Sequence, residues 1–446
     1  MAQRYFIETY GCQMNVHDSE RMAGLLESAG YELARDERDA DVIVINTCSV
    51  RERAEEKLYT RLGELRTLGD DAHRPLVAVA GCVAQQEGDA ILKRSTEVDL
   101  VVGTQQIKRL PMLVEQAGAQ RHHGRPTVDI SLYDDVSFPL GLIRRQDGVK
   151  AYVTIIEGCN EFCSFCVVPY TRGHERMRPK REILDEVRSA AAAGHREIHL
   201  LGQIVNHYQA PDDPTCDFAG LLEALHEIPA VQRIRFASPH PRHVTPRLID
   251  AIRNLPKVCR HLHLPVQSGS TRVLHAMRRR HSREEYLDLI GCLRESIPEI
   301  ALSTDMIVGF PGETDQDFEQ TLSLVRQVRY SSMFSFKYSP RPNTLAKQRM
   351  PDDVSDREKT DRIVALQTLQ REIQLELHEA AIGREEDVLV EATSRRREWE
   401  VSGRTSGNTV VNFPGSAALV GSLVRVHITR GGPNSVAGVL VGAREA

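Results

Sequence analysis

Residues 151–170 read Ala151-Tyr-Val-Thr-Ile-Ile-Glu-Gly-Cys-Asn-Glu-Phe-Cys-Ser-Phe-Cys-Val-Val-Pro-Tyr170. An apolar strand runs through a glycine straight into three cysteines, Cys159, Cys163 and Cys166, spaced C-x3-C-x2-C. Outward from this stretch, strand and helix alternate about six times over residues 145–375, with further strands predicted at 197–201, 233–237, 261–264, 301–308 and 333–337. Serial strand–helix units curl into a barrel whose strands deliver their C-terminal ends to one mouth. Six units rather than eight leave an open, partial barrel able to admit a large substrate. The cysteine run ends the first strand, and polar or glycine-bearing stretches end others: Leu201-Gly-Gln203 through Asn206, Ser238-Pro-His240, Pro265-Val-Gln-Ser-Gly269 and Gly309-Phe-Pro-Gly-Glu313.

Three thiolates are one ligand short of a closed metal site. Iron–sulfur clusters normally take four cysteines, so this loop holds a [4Fe-4S] cube at three corners and leaves the fourth iron open. In this spacing the open iron takes the amino and carboxylate groups of S-adenosylmethionine, whose sulfonium bond breaks homolytically on receipt of one electron. A structural zinc knot is the rival reading, but zinc takes four ligands, commonly two C-x2-C pairs, and no second pair lies nearby. Phe165, Gln203, Ser238, Gln267 and Asp305 are the candidate cofactor contacts at the mouth; each has the alternative of satisfying a strand end or filling core.

The first hundred or so residues repeat the same alternation, with strands predicted at 4–9, 41–46, 76–80 and 98–102, which implies a parallel sheet with one functional edge. Gly11-Cys12 follows the first strand, Asn46-Thr-Cys48 the second and Gly81-Cys82 the third. Cysteines some 35 residues apart carry no local motif, and a lone buried cysteine is usually a small hydrophobe. Here the topology brings Cys12, Cys48 and Cys82 to one edge, and two of them follow a glycine that lets the backbone approach a bulky cluster. A second three-cysteine cluster is therefore expected. Cys216, Cys259 and Cys292 read as packing residues.

The 446 residues, 41% hydrophobic and 27% charged, suit a globular chain of about two or three domains. No leader-like start and no membrane-spanning apolar run are seen, so a cytoplasmic protein without membrane contact is expected. Nine cysteines, odd in number and partly clustered, favour metal ligation over a disulfide framework. A net charge of -5 gives no overall attraction to nucleic acid, which leaves local basic patches: Arg121-His-His-Gly-Arg125, Arg278-Arg-Arg-His281, and Arg395-Arg-Arg397 with Arg404. Singly, each reads as a solvated face. After a charged helix from Asp356 to about Ala381 the texture turns to short β-rich pieces and glycine turns, a small barrel; from Arg395 onward Arg395, Arg396, Arg397, Arg404, Arg425, Arg430 and Arg444 outnumber Glu398, Glu400 and Glu445, so this tail is locally basic. Small basic β-barrels often hold RNA. Trp399 and Phe413 are available to stack on bases, with packing inside the barrel the favoured role for each.

With these residues in view, the chain resembles the radical S-adenosylmethionine methylthiotransferases over essentially its whole length. Tyr10-Gly-Cys-Gln-Met-Asn15, Ile45-Asn-Thr-Cys-Ser-Val-Arg51, Gly81-Cys-Val-Ala-Gln85, Pro169-Tyr-Thr-Arg-Gly173, Phe334-Ser-Phe-Lys-Tyr-Ser-Pro-Arg-Pro342 and Gly403-Arg-Thr405 resemble the family's motifs in order. Two departures stand out: Ile204 replaces the family's usual Asn, and Ala237-Ser-Pro-His240 varies a Thr-Ser-His pattern. The resemblance implies an α/β fold in which residues 1–120 form a parallel-sheet methylthiotransferase domain and 121–144 a linker. A partial (β/α)6 radical core at 145–378 follows, then an RNA-binding TRAM β-barrel at 379–446. It implies two [4Fe-4S] clusters, an auxiliary one on Cys12, Cys48 and Cys82 and a radical one on Cys159, Cys163 and Cys166, together with S-adenosylmethionine. A monomer is expected, with a tRNA anticodon loop, an external electron donor and a sulfur source as partners.

Gly11-Cys-Gln-Met-Asn15 points to the branch that adds a methylthio group to C2 of an isopentenylated adenosine beside the anticodon. The alternatives are the same chemistry on a ribosomal protein side chain, or a non-catalytic iron–sulfur RNA-binding protein. In the implied reaction one S-adenosylmethionine methylates sulfur held on the auxiliary cluster and a second is cleaved at the radical cluster. A radical is required on physical grounds, because the C2 hydrogen of adenine is not acidic and the carbon bears no leaving group.

Overall fold

Val42 and Val44 face one hydrophobic cluster with Leu76, Ala78 and Leu100, while the intervening Ile43 and Ile45 face another with Val77, Val79 and Val101. Burial on both faces is the property of a parallel sheet covered by helices on either side, and it explains the unbroken apolar runs in the sequence. The computed structural model, which describes residues 2–49, 52–66, 74–121, 125–131, 142–394, 397 and 399–442, shows this sheet. Its strands are β1 (Arg4–Tyr10), β2 (Glu32–Leu33), β3 (Val42–Thr47), β4 (Leu76–Gly81), β5 (Leu100–Val102) and β6 (Thr127–Asp129). They lie in the order β2-β1-β3-β4-β5-β6, all parallel. Residues 127–129, expected in a linker, instead supply β6, and Leu142 and Ile143 pack on the same domain's core. Of the sequence features noted above, Val50, Arg51, His122–Gly124, residues 132–141 of the expected linker, Arg395, Arg396, Glu398, Arg444 and Glu445 lie outside the described residues.

The helix α1 (Gln13–Ser28) is buried along most of its length, including the polar Asn15, His17, Asp18, Glu20 and Arg21. Met22, Leu25 and Leu26 pack on the sheet. The polar residues meet the second domain, where buried charge must find partners: Arg21 Nη1 donates to Glu157 Oε1 at 2.7 Å and Gln146 N donates to Glu20 Oε1 at 3.3 Å.

The middle of the chain carries β7 (Lys150–Thr154), β8 (Ile156–Glu157), β9 (Arg176–Met177), β10 (Glu197–Leu201), β11 (Arg233–Phe236), β12 (His261–His263), β13 (Ala301–Val308) and β14 (Ser332–Lys337). Two parallel three-stranded sheets, β11-β10-β7 and β12-β13-β14, are joined by a parallel bridge between Ile234 and Val258. Together they give the six expected barrel strands around one large core. The stretch expected as one strand over 151–157 breaks after Thr154; its tail, β8, pairs antiparallel with β9 and leads into the cysteine loop.

A long helix, Asp356–Glu379, leads to a closed barrel of β15 (Glu385–Thr393), β16 (Glu400–Thr405), β17 (Val410–Pro414), β18 (Leu423–Gly431) and β19 (Val436–Leu440). Phe413 and seven aliphatic residues, among them Val388, Val401 and Ile428, fill it. Trp399 does not: it is 58% exposed, with the Arg397 guanidinium 5.5 Å from its ring, so its expected place inside the barrel is corrected to the surface.

This small barrel closes the end of the core opposite the cysteines. Arg233, the first residue of β11, donates to the carbonyls of Arg404 and Asp387, and Arg235 to those of Thr405 and Ser406. Lys150, first in β7, pairs with Glu391 at 2.7 Å, and Arg260 N donates to Ser406 Oγ at 2.8 Å. Among the described residues no helix is long and apolar enough to cross a membrane.

Candidate functional site

Register decides where the first cysteine trio lies. Tyr10 is opposite Thr47 and Thr47 opposite Gly81, so Cys12, Cys48 and Cys82 follow on from adjacent rungs of three neighbouring strands. Parallel neighbours are about 4.8 Å apart. Cys12 caps α1, with its N–H donating to Asn15 Oδ1 at 3.3 Å. Asn15 in turn donates to Asn46 Oδ1, and Asn46 Nδ2 donates back to Asn15 O and to Ser19 Oγ, a buried amide lattice that ties the first loop to the end of β3. Both glycines are needed for close approach. A Cβ on Gly11 would stand 2.8 Å from Cys48 Cβ, and Gly81, at φ +91°, has no room for one against Asn46.

The thiols feel one another and one cation. A hydrogen bond with Cys48, aided by the Arg172 guanidinium, draws Cys12 down to about 6, whereas burial pushes Cys82 up. Arg172 comes from the middle domain. It is 6% exposed, and its Nη2 donates to Asp18 Oδ2 at 2.6 Å. Burial disfavours its charge, but Asp18, Cys82 and Cys12 together more than restore it.

The second trio lies on the loop after β8. Gly158, at φ +82°, has no room for a Cβ against the carbonyl of His174, and Cys159 N donates to Gly173 O at 3.2 Å. Cys166 N donates to Cys163 O, and Ser164 pins the loop by donating through N to Met277 O and through Oγ to Ala276 O. Burial raises Cys159 to about 11 and Cys166 to about 12, so binding a metal must expel their protons. Arg279 is 6% exposed and donates to Cys163 Sγ at 3.6 Å while anchored on Pro265 O at 2.6 Å. This corrects the reading of Arg278–His281 as a solvated face, since its central arginine points inward between two exposed ones at φ +57° and +55°.

Among the described residues no three His, Cys, Asp or Glu side chains converge as on a single metal ion. A cube binds each thiolate at a different corner and needs a wider trio. Soft donors, glycine clearance and an inward arginine at each trio fit such a group. Backbone strain gathers at the same end of the core: Phe162, Ser238, Gln267, Arg278 and Arg280 are all non-glycine residues at positive φ, a pattern typical of functional sites.

Of the five candidate cofactor contacts, Phe165, Gln267 and Asp305 line one cavity of about 130 Å³ beside Cys166, with Lys337 and Arg341. Gln203 and Ser238 are not among its walls. The buried Oε1 of Gln203 has no hydrogen-bond partner, however, which suits an incoming donor. A second cleft, of about 390 Å³, opens between Glu55, Tyr59, Glu87 and Arg94 of the first domain and Pro340 and Lys347 of the core. Ser339 and Arg341 line both spaces, so the two adjoin.

The signature described as Uncharacterized protein family UPF0004 matches residues 4–103, that of the Radical SAM superfamily residues 153–325, and that of the TRAM domain residues 379–441. The tRNA-2-methylthio-N(6)-dimethylallyladenosine synthase of Geobacter metallireducens is 48% identical over 438 residues, 98% of each chain. That of Methylococcus capsulatus is 45% identical, over 99% of this chain and 96% of the relative. The chain belongs to the tRNA-2-methylthio-N(6)-dimethylallyladenosine synthase family. Among solved structures, the radical S-adenosylmethionine methyltransferase TsrM from Kitasatospora setae superposes with a TM-score of 0.54 at 15% identity, covering 78% of this chain and 74% of that one. The cobalamin-dependent radical enzyme OxsB gives 0.52 at 12% identity, over 83% and 56%. These two share the fold.

Membership in the Radical SAM superfamily implies one [4Fe-4S] cluster and S-adenosylmethionine. In this member of the synthase family, sequence reading had missed the inward roles of Arg172 and Arg279. Glu161, inside the cysteine loop, was missed too; its carboxylate accepts from His243 Nε2 at 3.1 Å. Arg172 lay inside a quoted motif, the one signal available. Cys216 and Cys259 are buried as expected, whereas Cys292 is exposed on the helix Arg283–Ser296 and has no packing role.

Proposed function

We propose that this protein is a tRNA methylthiotransferase that adds a methylthio group to C2 of N6-isopentenyladenosine beside the anticodon. The observation that carries this reading is near full-length similarity to proteins named tRNA-2-methylthio-N(6)-dimethylallyladenosine synthase. Cys159, Cys163 and Cys166 hold the radical [4Fe-4S] cluster, and Cys12, Cys48 and Cys82 hold an auxiliary one. Phe165, Gln203, Ser238, Gln267 and Asp305 are the proposed contacts of S-adenosylmethionine. When bound, these groups supply what side chains lack: an electron for homolysis of the sulfonium bond, and sulfur for transfer.

The polypeptide's own work is to bind, orient and exclude water. The recess beside Cys166 seats a small reacting group, and the adjoining cleft is within the usual size of a ligand site, large enough for a splayed-out base. Anticodon-loop bases are unpaired, so extruding one costs only a few kcal/mol. An external reductant and a sulfur source complete the turnover, and a cytoplasmic monomer is the working form.

Mass spectrometry of tRNA nucleosides from a deletion strain tests the reading. Isopentenyladenosine should accumulate and the methylthiolated form vanish, with restoration on re-expression. Unchanged tRNA combined with loss of a methylthio mark on a ribosomal protein would move the substrate to protein.

The C-terminal barrel is the proposed tRNA grip, and the exposed Trp399, flanked by Arg397, is its stacking platform. Trp399→Ala should weaken tRNA binding about tenfold, in line with the roughly 1–3 kcal/mol of a stacked base. Equal affinities across a salt titration would remove Trp399 from the interface.

A further inference from the structure

We infer that Arg172 is a positioning residue that fixes the two cysteine trios relative to one another and holds a positive charge against the auxiliary one. The inference rests on the function proposed above and goes beyond it in assigning a device that couples the two sites.

Arg172 stands six residues after Cys166, at the end of the short helix Val168–Thr171, where its N–H donates to Val168 O at 2.8 Å. Its main chain is gripped from both domains. Thr104 Oγ1 donates to Thr171 O at 2.6 Å and Gln105 Nε2 to Arg172 O at 3.2 Å, both from the first domain. From the other side Cys159 N donates to the next carbonyl, that of Gly173. The segment thus begins at one ligand of the radical trio, is hydrogen-bonded to another, and is locked to the domain that carries the auxiliary trio.

The side chain completes the link. It ends on Asp18, which lies on α1, the helix capped by Cys12. Its charge acts on both Cys12 and Cys82. A guanidinium serves this place because its planar fork can serve a carboxylate and sulfur ligands together, which a lysine's point charge does not do as well. Buried cations and hydrogen bonds to sulfur are among the terms that set a cluster's reduction potential. With the cation removed, added electrons at the auxiliary site are less favoured and its potential falls.

The test uses the full chain, reconstituted anaerobically, with Arg172→Gln and Arg172→Lys. Potentiometric EPR is carried out in a background where Cys159, Cys163 and Cys166 are all Ala, so that only the auxiliary cluster is read. Arg172→Gln should lower its midpoint potential, while Arg172→Lys, which keeps the charge, should stay near the parent. With both trios intact, methylthiolated tRNA formed per 5'-deoxyadenosine should fall at least tenfold in Arg172→Gln and partly in Arg172→Lys. Parent-like potential and ratio in Arg172→Gln would overturn the inference. If that variant fails to retain iron, Arg172→Lys decides, and a parent-like ratio there overturns it. Cys12→Ala, measured in parallel, separates the two claims: an undiminished iron content in that variant would refute the auxiliary cluster itself rather than the role of Arg172.

Discussion

Cys163→Ala should abolish both cleavage of S-adenosylmethionine and formation of methylthiolated tRNA, a loss of roughly a thousandfold or more, equivalent to about 4 kcal/mol or greater in barrier height. The substitution removes one of three corners from a loop with no spare thiol. It also strips the buried Arg279 of its sulfur partner, leaving a cation whose other anchor is a neutral carbonyl. Iron should fall from about eight to about four per chain, since the other trio sits in a separate domain. The checks are chromatography of 5'-deoxyadenosine and iron analysis on anaerobic protein. Normal 5'-deoxyadenosine formation by this variant would remove Cys163 from the radical site.

Cys12→Ala should give the complementary phenotype: 5'-deoxyadenosine still forms, about half the iron remains, and methylthio product drops to background. The loss is not a folding effect. Cys12 caps α1, and an imperfect cap costs only about 1 kcal/mol, while the helix stays clamped by Met22, Leu25 and Leu26 on the sheet. A near-parent melting temperature alongside lost product would fit this account. Methylthiolated tRNA made at the parent rate would dismiss the auxiliary site.

Strands buried on both faces were legible because continuous apolar runs such as Val42–Ile45 and Leu76–Ala80 have few other uses, and the cysteines at their ends followed from topology. The two short edge strands were not legible. Glu32–Leu33 is exposed, and Thr127–Asp129 has no apolar run; each exists because a neighbour offers a free edge. At the site, Arg279 looked like one of three solvated arginines, because only the alternation of two left-handed neighbours turns it inward, and such backbone angles leave no trace in composition. Trp399 failed in the other direction. An indole is ordinarily core, but Trp399 stands just before the strand Glu400–Thr405, off its inward-facing positions, and is exposed. Arg172 sits in a recognisable motif, yet its meaning depends on an aspartate 154 positions away.

The small barrel stoppers the core at the starts of its strands, while the Cys159–Cys166 loop lies at the other end, with the first domain's trio linked to it through Arg172. The longest of these strands, Ala301–Val308, has eight residues, roughly 25 Å of extended chain. An RNA held at both places must therefore reach along the flank of the protein, and selection becomes a question of span as well as of base identity. On the proposed grip, a lone nucleoside or trimmed loop would reach the opening without the distant anchor, so length itself would become a credential for tight binding.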